Sequence, residues 1–159
     1  MKREVVIVGN IGIVTLTKGR FALIDSKFAK KVEKNCWSVN NMGYAQACIN
    51  YKTVLLHRMV LKTPSNMDTD HINGNILDCR LANLRVCTTQ QNLRNRSTTN
   101  NRKYKGTNYV KKINKWAARI MIDRKMIYLG CYKTEKKAAQ AYNKAALKYF
   151  GRFAKLNNV

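Results

Sequence analysis

Tight-turn residues interrupt the apolar runs of this chain at short intervals, and this limits it to small strands and short helices. The pairs Gly9-Asn10 and Lys18-Gly19 separate segments that are rich in β-branched or aromatic residues, and Asn73-Gly74 is a further strong tight-turn signal within a polar block. Such spacing is typical of short strands joined by hairpin turns. The sequence therefore predicts an α+β fold whose N-terminal part is rich in β-structure.

The first fifty residues are predicted to form a small β-rich unit. We expect three strands, at Val5–Val8, Gly12–Thr17 and Phe21–Asp25. A short helix over 27–34 should follow, with Ser26 as its N-cap. The segments 36–40 and 44–49 flank a run of turn residues, which predicts a hairpin.

The C-terminal residues show a different pattern, a hairpin followed by one long helix. Trp116–Ile122 and Lys125–Tyr132 predict two paired strands. Thr134 can cap a helix from Glu135 to about Phe150, and Gly151 stands where a glycine stop belongs. The expected core residues of this unit are Trp116 and a helix stripe of Ala138, Ala141, Tyr142, Ala145 and Tyr149. We expect three antiparallel strands and one helix in total.

These patterns predict two domains joined by a basic linker. Residues 1–95 form the first domain, with a β-rich scaffold at 1–52 and a second segment at 53–95, where Thr88 can cap a short final helix. Residues 96–103 hold no apolar side chain, which predicts an exposed linker. Residues 104–159 form the second domain.

The charge balance points to an anionic partner. The chain has 31 Lys and Arg against 8 Asp and Glu, a formal net charge of +23. No acidic residue occurs between Asp78 and Asp123, a stretch that is dense in lysine and arginine. A surface of this kind predicts nucleic acid as the partner. Charge alone leaves open an RNA-binding protein of the ribosomal type, or affinity for a membrane surface.

Cysteine usage and hydropathy predict a reduced, cytoplasmic setting. The five cysteines show no CxxC spacing, so a structural zinc site is not expected. No apolar run approaches the roughly 18–20 residues that cross a bilayer, so no membrane partner is expected. The N-terminal apolar stretch is too short for a signal peptide and is interpreted as a strand.

One polar constellation has the residue types that phosphodiester hydrolysis needs. Asp70 and His71 come first, Asn83 lies twelve residues after His71, and Asn92 lies nine residues after Asn83. A neutral imidazole can accept a proton from water, and Mg²⁺ prefers carboxylate and amide oxygens. Asp70 and Asn92 could hold the metal ion, and the amide of Asn83 could fix the loop that carries His71. On spacing alone, a polar turn at Asp70-His71, with an ordinary helix cap and a surface residue at the two asparagines, is the commoner explanation.

The same segment resembles the HNH homing endonucleases of phage and mobile-intron origin. The resemblance rests on Leu56-His57-Arg58, 70–75, 78–85 and Gln91-Asn92. It implies a ββα-metal fold that binds one divalent ion, Mg²⁺ or Mn²⁺, in which His71 is the general base, Asn83 orients the site, and Asp70 and Asn92 hold the metal. Cys79 stands where relatives usually have asparagine, which questions the local packing more than the catalysis.

His57 lies in an apolar segment, and a core or hinge role is expected rather than ligation. Three arginines of this region are expected to contact phosphates or to pack the motif: Arg58, Arg80 and Arg85.

Residues 104–159 resemble the APETALA-type DNA-binding domain of plant ethylene-response factors. The matching pieces include Tyr104-Lys105-Gly106, 116–120, 128–132 and 141–146. The resemblance implies a three-stranded sheet that enters the major groove, backed by one helix. With the basic residues around the linker, the expected DNA-binding residues are Arg94, Arg96, Arg102, Lys105, Asn108, Lys111, Lys112, Arg119, Arg124 and Tyr128.

The sequence therefore predicts a homing-type endonuclease that acts on double-stranded DNA. We expect a monomer or weak dimer, without a small-molecule cofactor, in the cytoplasm of a bacterial or phage-infected cell. The alternative is a non-catalytic DNA-binding regulator with a degenerate HNH motif. An RNA-binding protein ranks below both, since no aromatic platform for single strands is evident.

Overall fold

A computed structural model describes residues 4–96 and 103–159 of this chain. The chain forms two compact units, Met1–Thr89 and Gln90–Val159. The predicted α+β class is confirmed, because small antiparallel sheets and few helices make up both units. Within the described residues, no helix is long and apolar enough to cross a membrane.

The first unit opens with a three-stranded antiparallel meander. Its strands are β1 (Val5–Val8), β2 (Ile11–Thr15) and β3 (Phe21–Asp25), and all three were predicted. Alternate residues of β2 and β3 are buried, including Val14, Ala22 and Ile24, so one face of this sheet covers the core.

The helix predicted over 27–34 is shorter than expected. Ser26–Phe28 form a 3-10 turn, and only Ala29–Val32 (α1) are α-helical. Ser26 is therefore inside the turn and is not an N-cap. Val32 is fully buried, and its carbonyl accepts a hydrogen bond from the indole of Trp37 at 2.9 Å. This bond ties the end of the helix to the core.

A second small sheet follows, and its first two strands form the predicted hairpin. The strands are β4 (Ser38–Val39), β5 (Ala45–Ile49) and β6 (Lys52–Leu55). The apolar segment from Thr53 does not form one element, because β6 ends at Leu55 and α2 (Leu56–Leu61) begins directly after it. Helix α2 places Leu56 and Val60 in the same core as the first sheet.

The rest of the first unit is a two-stranded pair, β7 (Asp68–His71) and β8 (Leu84–Cys87). The helix predicted after Thr88 is present as α3 (Thr89–Arg94), which begins at the end of this unit. The order strand, strand, helix is that of the expected ββα motif.

The second unit is the predicted sheet of three strands with one long helix. The elements are β9 (Thr107–Val110), β10 (Lys115–Ile122), β11 (Lys125–Tyr132) and α4 (Glu135–Phe150). Asp123 and Arg124 both have positive φ, as a two-residue hairpin turn requires. The Thr134 side chain accepts a hydrogen bond from the Lys137 amide, and Gly151 follows the last helical residue. Both predicted ends of α4 are thus confirmed.

The core of the second unit differs from the predicted stripe in two respects. Helix α4 buries Ala139, Ala146 and Phe150 beside the predicted Ala138, Tyr142 and Ala145, whereas the predicted Ala141 is only half-buried and Tyr149 is exposed. The alanines allow a wider contact face, so the buried stripe is broader than the one predicted and ends on Phe150. Trp116 is half-buried rather than core, with its ring 5.1 Å from that of Tyr109.

Gly106 explains how Tyr142 fits into this core. The glycine has a φ of +78°, and a Cβ atom there would lie 2.0 Å from the Tyr142 ring. Only glycine allows the backbone to lie against the ring at this point.

Candidate active site

The predicted site residues Asp70 and His71 end strand β7. Asp70 pairs across the ladder with Arg85, and His71 pairs with Leu84. Both side chains are almost fully buried. Because neighbouring residues of a strand face opposite sides, the two side chains have different surroundings.

Asn83 is positioned by the loop that joins β7 to β8. Its Oδ1 accepts from the Asn73 amide at 2.9 Å, and its Nδ2 donates to the Asp78 carbonyl at 2.8 Å. Its own carbonyl accepts from the Ile72 amide at 2.9 Å. One buried amide therefore joins both ends of the loop directly after His71.

The same loop is attached to the N-terminal sheet. The amide of Cys79 donates to the carbonyl of Leu23 at 2.7 Å, and the amide of Leu23 donates to Leu77 at 2.8 Å. The carboxylate of Asp25 accepts from the Leu81 amide at 2.8 Å. Strand β3 therefore fixes the position and direction of the loop.

Asp78 stabilises the loop from within. Its carboxylate accepts from Nε and Nη2 of Arg80, each at 2.7 Å, and from the Asn73 side chain at 3.1 Å. The hydrogen bonds from Arg80 lower the pKa of this buried carboxyl group. Asp78 therefore fixes the local structure of the loop.

Asp70 lies beside a cation of the protein itself. Nε and Nη2 of Arg85 donate to Oδ2 of Asp70 at 2.7 and 2.5 Å. The side chains are 12% and 5% exposed respectively, so this ion pair is largely removed from water. A metal ion held by Asp70 would share the carboxylate with Arg85.

His71 lies in a pocket of aromatic side chains. Its ring centre is 5.0 Å from that of His57, in an edge-to-face arrangement, and 6.2 Å from that of Tyr44. The His57 ring is in turn 5.2 Å from Tyr44. The Nε2 atom of His71 is buried.

Burial keeps both imidazoles neutral. It lowers the pKa of His71, although Asp70 and Asp78 act in the opposite direction. Burial, with contributions from His71 and Arg58, lowers the pKa of His57 to about 3. A neutral His71 at pH 7 has the protonation state that a general base requires.

The residues around His71 were missed by the sequence analysis. His57, His71 and Cys79 place one potential ligand atom each within 4.8 Å of one another, and all three are buried. His57 was expected in a core or hinge, and Cys79 was assigned to local packing. The available signal was the inclusion of both residues in the runs 56–58 and 78–85, which carry the family resemblance, but their proximity depends on how α2 packs against β7.

The two side chains that are expected to bind Mg²⁺, Asp70 and Asn92, both lie within the residues that the structure describes. The carboxylate of Asp70 is a hard oxygen ligand of the type that this ion prefers. Asn92 lies half-buried on α3, in the second compact unit. The chemistry of the two side chains fits a hard divalent ion.

The three arginines of the first unit that were expected to contact phosphates or pack the motif are engaged in intramolecular contacts. Nη1 and Nη2 of Arg58 donate to the carbonyls of Met67 and Pro64 at 2.9 and 2.7 Å. Arg80 and Arg85 pair with carboxylates as described above, and the side chain of Arg80 keeps 38% exposure. Packing of the motif, one of the two expected roles, accounts for these contacts.

Two predicted DNA-binding residues of the second unit are also engaged. Nζ of Lys105 donates to the carbonyls of Arg94 and Arg96, each at 2.7 Å, and burial lowers the pKa of this lysine. The guanidinium of Arg94 lies 4.7 Å from the centre of the Phe150 ring and 3.6 Å from the carboxylate of Asp123. Arg96 is exposed.

The other candidates of this unit lie on its surface. Arg119 pairs with Tyr128 across β10 and β11, and both side chains are exposed. The remaining exposed candidates are Asn108, Lys111, Lys112 and Arg124. Arg102 lies outside the described residues. A cavity of about 820 Å³ in this unit is lined by Arg119 and Arg124 among others.

Comparisons with known proteins agree with this geometry. Residues 55–94, which contain α2, the β7–β8 pair and α3, match a family model described as HNH endonuclease. The chain is 33% identical over 150 residues to an uncharacterized HNH endonuclease of Acanthamoeba polyphaga mimivirus, covering 89% of this chain and 77% of that relative. The chain therefore belongs to the HNH endonuclease family.

Proposed function

We propose that this nuclease is a sequence-recognising, homing-type DNA endonuclease that requires a divalent metal ion. The observation that carries the proposal is a buried, neutral His71 beside Asp70, on a loop that Asn83 joins at both ends. The family membership supports nuclease activity. The net charge of +23 supports a nucleic-acid substrate.

His71 acts as the general base. Because Nε2 is buried, we assign proton acceptance to Nδ1. The water oxygen forms a bond to phosphorus while His71 takes its proton, and the bond from phosphorus to the leaving sugar oxygen breaks. The lowered pKa of His71 keeps the acceptor available at neutral pH.

Asn83 is a positioning residue in this scheme. Its hydrogen bonds join Asn73 to Asp78 across the loop, so the backbone after His71 has one arrangement. A fixed imidazole needs less reorganisation when the attacking water is deprotonated.

Asp70 and Asn92 would hold the metal ion, Mg²⁺ or Mn²⁺. When bound, such an ion supplies positive charge to the scissile phosphate and to the leaving oxygen. Arg85 orients Asp70 through its two hydrogen bonds to Oδ2.

The second unit supplies affinity for double-stranded DNA in this proposal. Its sheet carries Arg119 and Tyr128 on an exposed face, and Lys111, Lys112 and Arg124 are exposed nearby in sequence. These side chains are suited to contacts with phosphates and base edges. The likeness of residues 104–159 to the APETALA-type domain supports the same role.

The test is relaxation of supercoiled plasmid by purified protein with Mg²⁺, Mn²⁺ or EDTA, using long and varied DNA. We expect metal-dependent nicking that His71→Ala reduces by about 10²–10⁴-fold, while binding to the duplex is retained. Met42→Ala, which changes a side chain that is 79% exposed, serves as the control and should cleave normally.

The regulator hypothesis predicts a different result. Tight, salt-sensitive binding without cleavage under any metal condition would favour it. In competition assays, the nuclease proposal requires duplex DNA to displace the bound probe better than single strands or RNA.

A further inference from the structure

The pocket around His71 contains a group of side chains whose chemistry differs from that of a magnesium site. His57 comes from α2, His71 from β7 and Cys79 from the loop after it. Their potential ligand atoms lie within 4.8 Å of one another, and the three residues are 5%, 5% and 0% exposed. Two imidazoles and one thiol therefore converge in the interior of the first unit.

His57 adds a second, independent observation. Its Nδ1 atom is buried and has no hydrogen-bond partner among the residues that the structure describes. A buried polar atom without a partner costs about 1–3 kcal/mol, so native proteins rarely keep one without a bound water or ion. His57 is a member of the same group, so an ion bound through this nitrogen would satisfy it.

The ligand types select the kind of ion. Imidazole and thiolate suit Zn²⁺ and similar borderline or soft metals, whereas Mg²⁺ takes oxygen ligands. Zinc bonds of about 2.0–2.3 Å separate tetrahedral ligand atoms by about 3.5 Å, so the group needs to contract by about 1 Å. Three protein ligands leave a fourth position for water.

We propose that His57, His71 and Cys79 form a transition-metal site of the zinc class, and that occupancy of this site inhibits the nuclease. A metal ion on the buried Nε2 of His71 leaves the ring proton on Nδ1. That nitrogen then no longer accepts a proton from water. The inhibitory part rests on the proposed function, whereas the binding part does not. Binding of the ion releases the thiol proton of Cys79 and forms one sulfur–metal bond.

Cobalt substitution of the full-length protein tests the binding part directly. Co²⁺ is titrated into a Cys36→Ser/Cys48→Ser background, because these two cysteines are exposed and could bind metal on their own. We expect one equivalent of Co²⁺ to produce the near-ultraviolet absorption of a thiolate–cobalt bond, and Zn²⁺ to abolish it. The absence of this band would overturn the proposal.

Two matched cysteine variants assign the site. Cys79→Ala should lose the thiolate band and bind Co²⁺ at least about tenfold more weakly. Cys87→Ala removes another buried cysteine, outside the group, and should behave like the background protein. Retention of the band in Cys79→Ala, or its loss in Cys87→Ala, would refute the assignment. His57→Gln provides a further variant that should keep the thiolate band but weaken metal binding, which covers the case in which Cys79→Ala fails to fold.

Plasmid nicking in Mg²⁺ with added Zn²⁺ tests the inhibitory part. We expect Zn²⁺ to stop nicking by the background protein at concentrations at least about tenfold below those needed for Cys79→Ala. Equal sensitivity of the two proteins would refute inhibition through this site. If no variant nicks under any condition, the proposed function fails, and the cobalt spectra still decide whether the metal site exists.

Discussion

The arginines of the HNH motif and those of the C-terminal sheet are used in opposite ways. In the first unit, Arg58, Arg80 and Arg85 donate to carbonyls or carboxylates of the same unit. In the sheet of the second unit, Arg119 and Arg124 are exposed. The same residue type therefore fixes a buried motif in one place and remains available to a polyanion in the other, which a net charge cannot distinguish.

The largest expected difference concerns the Asp70–Arg85 pair. Arg85→Met leaves a buried carboxylate without its cation and should lower the free energy of unfolding by about 3–5 kcal/mol. Arg119→Met, its matched control in the second unit, should change it by less than about 0.5 kcal/mol. Urea unfolding measures both. Equal effects of the two substitutions would contradict the difference between the two units, whereas partial recovery in Asp70→Asn/Arg85→Met would show that the loss comes from the unpaired carboxylate.

Loss of the loop amide should have the next largest effect. Asn83→Ala removes two side-chain hydrogen bonds and leaves the Asn73 amide and the Asp78 carbonyl without these partners, so we expect a loss of about 2–3 kcal/mol. Asn108→Ala, at an exposed position of the second unit, should be nearly neutral in urea unfolding. A neutral Asn83→Ala would contradict the role of this residue in holding the loop.

Acid sensitivity should be confined to the first unit, which contains both histidines of the chain. The pKa of His57 is about 3 when folded, below its ordinary value of 6.5, so the unfolded state binds the proton more readily. The corresponding stability is complete above about pH 6.5 and is lost as the pH falls toward 3. Between pH 7.5 and 4.5 we expect a loss of about 2–3 kcal/mol, measured by urea unfolding. His57→Gln should flatten this dependence, and an unchanged pH profile in that variant would argue against a buried neutral His57.

The smallest expected effect concerns DNA binding by the second unit. Arg119→Met should weaken duplex binding several-fold and reduce the slope of log affinity against log salt by about 1. Arg58→Met, whose guanidinium bonds to carbonyls in the first unit, should leave that slope unchanged. Fluorescence anisotropy at several salt concentrations separates the two, and identical slopes would remove the distinction between inward and outward arginines.

The elements with strong local signals were predictable from sequence. The hairpin around Asp123-Arg124 and helix α4 with its Thr134 cap are defined by turn and cap residues close to them. The helix after Ser26 was overestimated, because its length is set by contacts of Val32 and Trp37 with the core. Local signals are strongest where few distant contacts compete.

For the candidate site, the sequence identified the residues of the motif but not the surroundings of His71. The bonds of Asn83 within its loop follow a predicted pattern. The approach of His57, Tyr44 and Cys79 depends on packing between three separate segments, which periodicity does not report. The sequence also does not show which basic residues are packed within the protein and which are exposed. In the structure, some of them make intramolecular contacts and others lie on the surface.

The attachment of the loop to strand β3 has a consequence for how the nuclease is assembled during synthesis. Leu81 bonds to Asp25 across 56 residues, so this part of the site has high contact order and forms late. Because β3 precedes the loop in the chain, it leaves the ribosome first and is available as a template when the loop emerges. A fragment restricted to the matched residues 55–94 lacks that template. The catalytic segment therefore depends on strand β3, which lies outside the residues that match the family model.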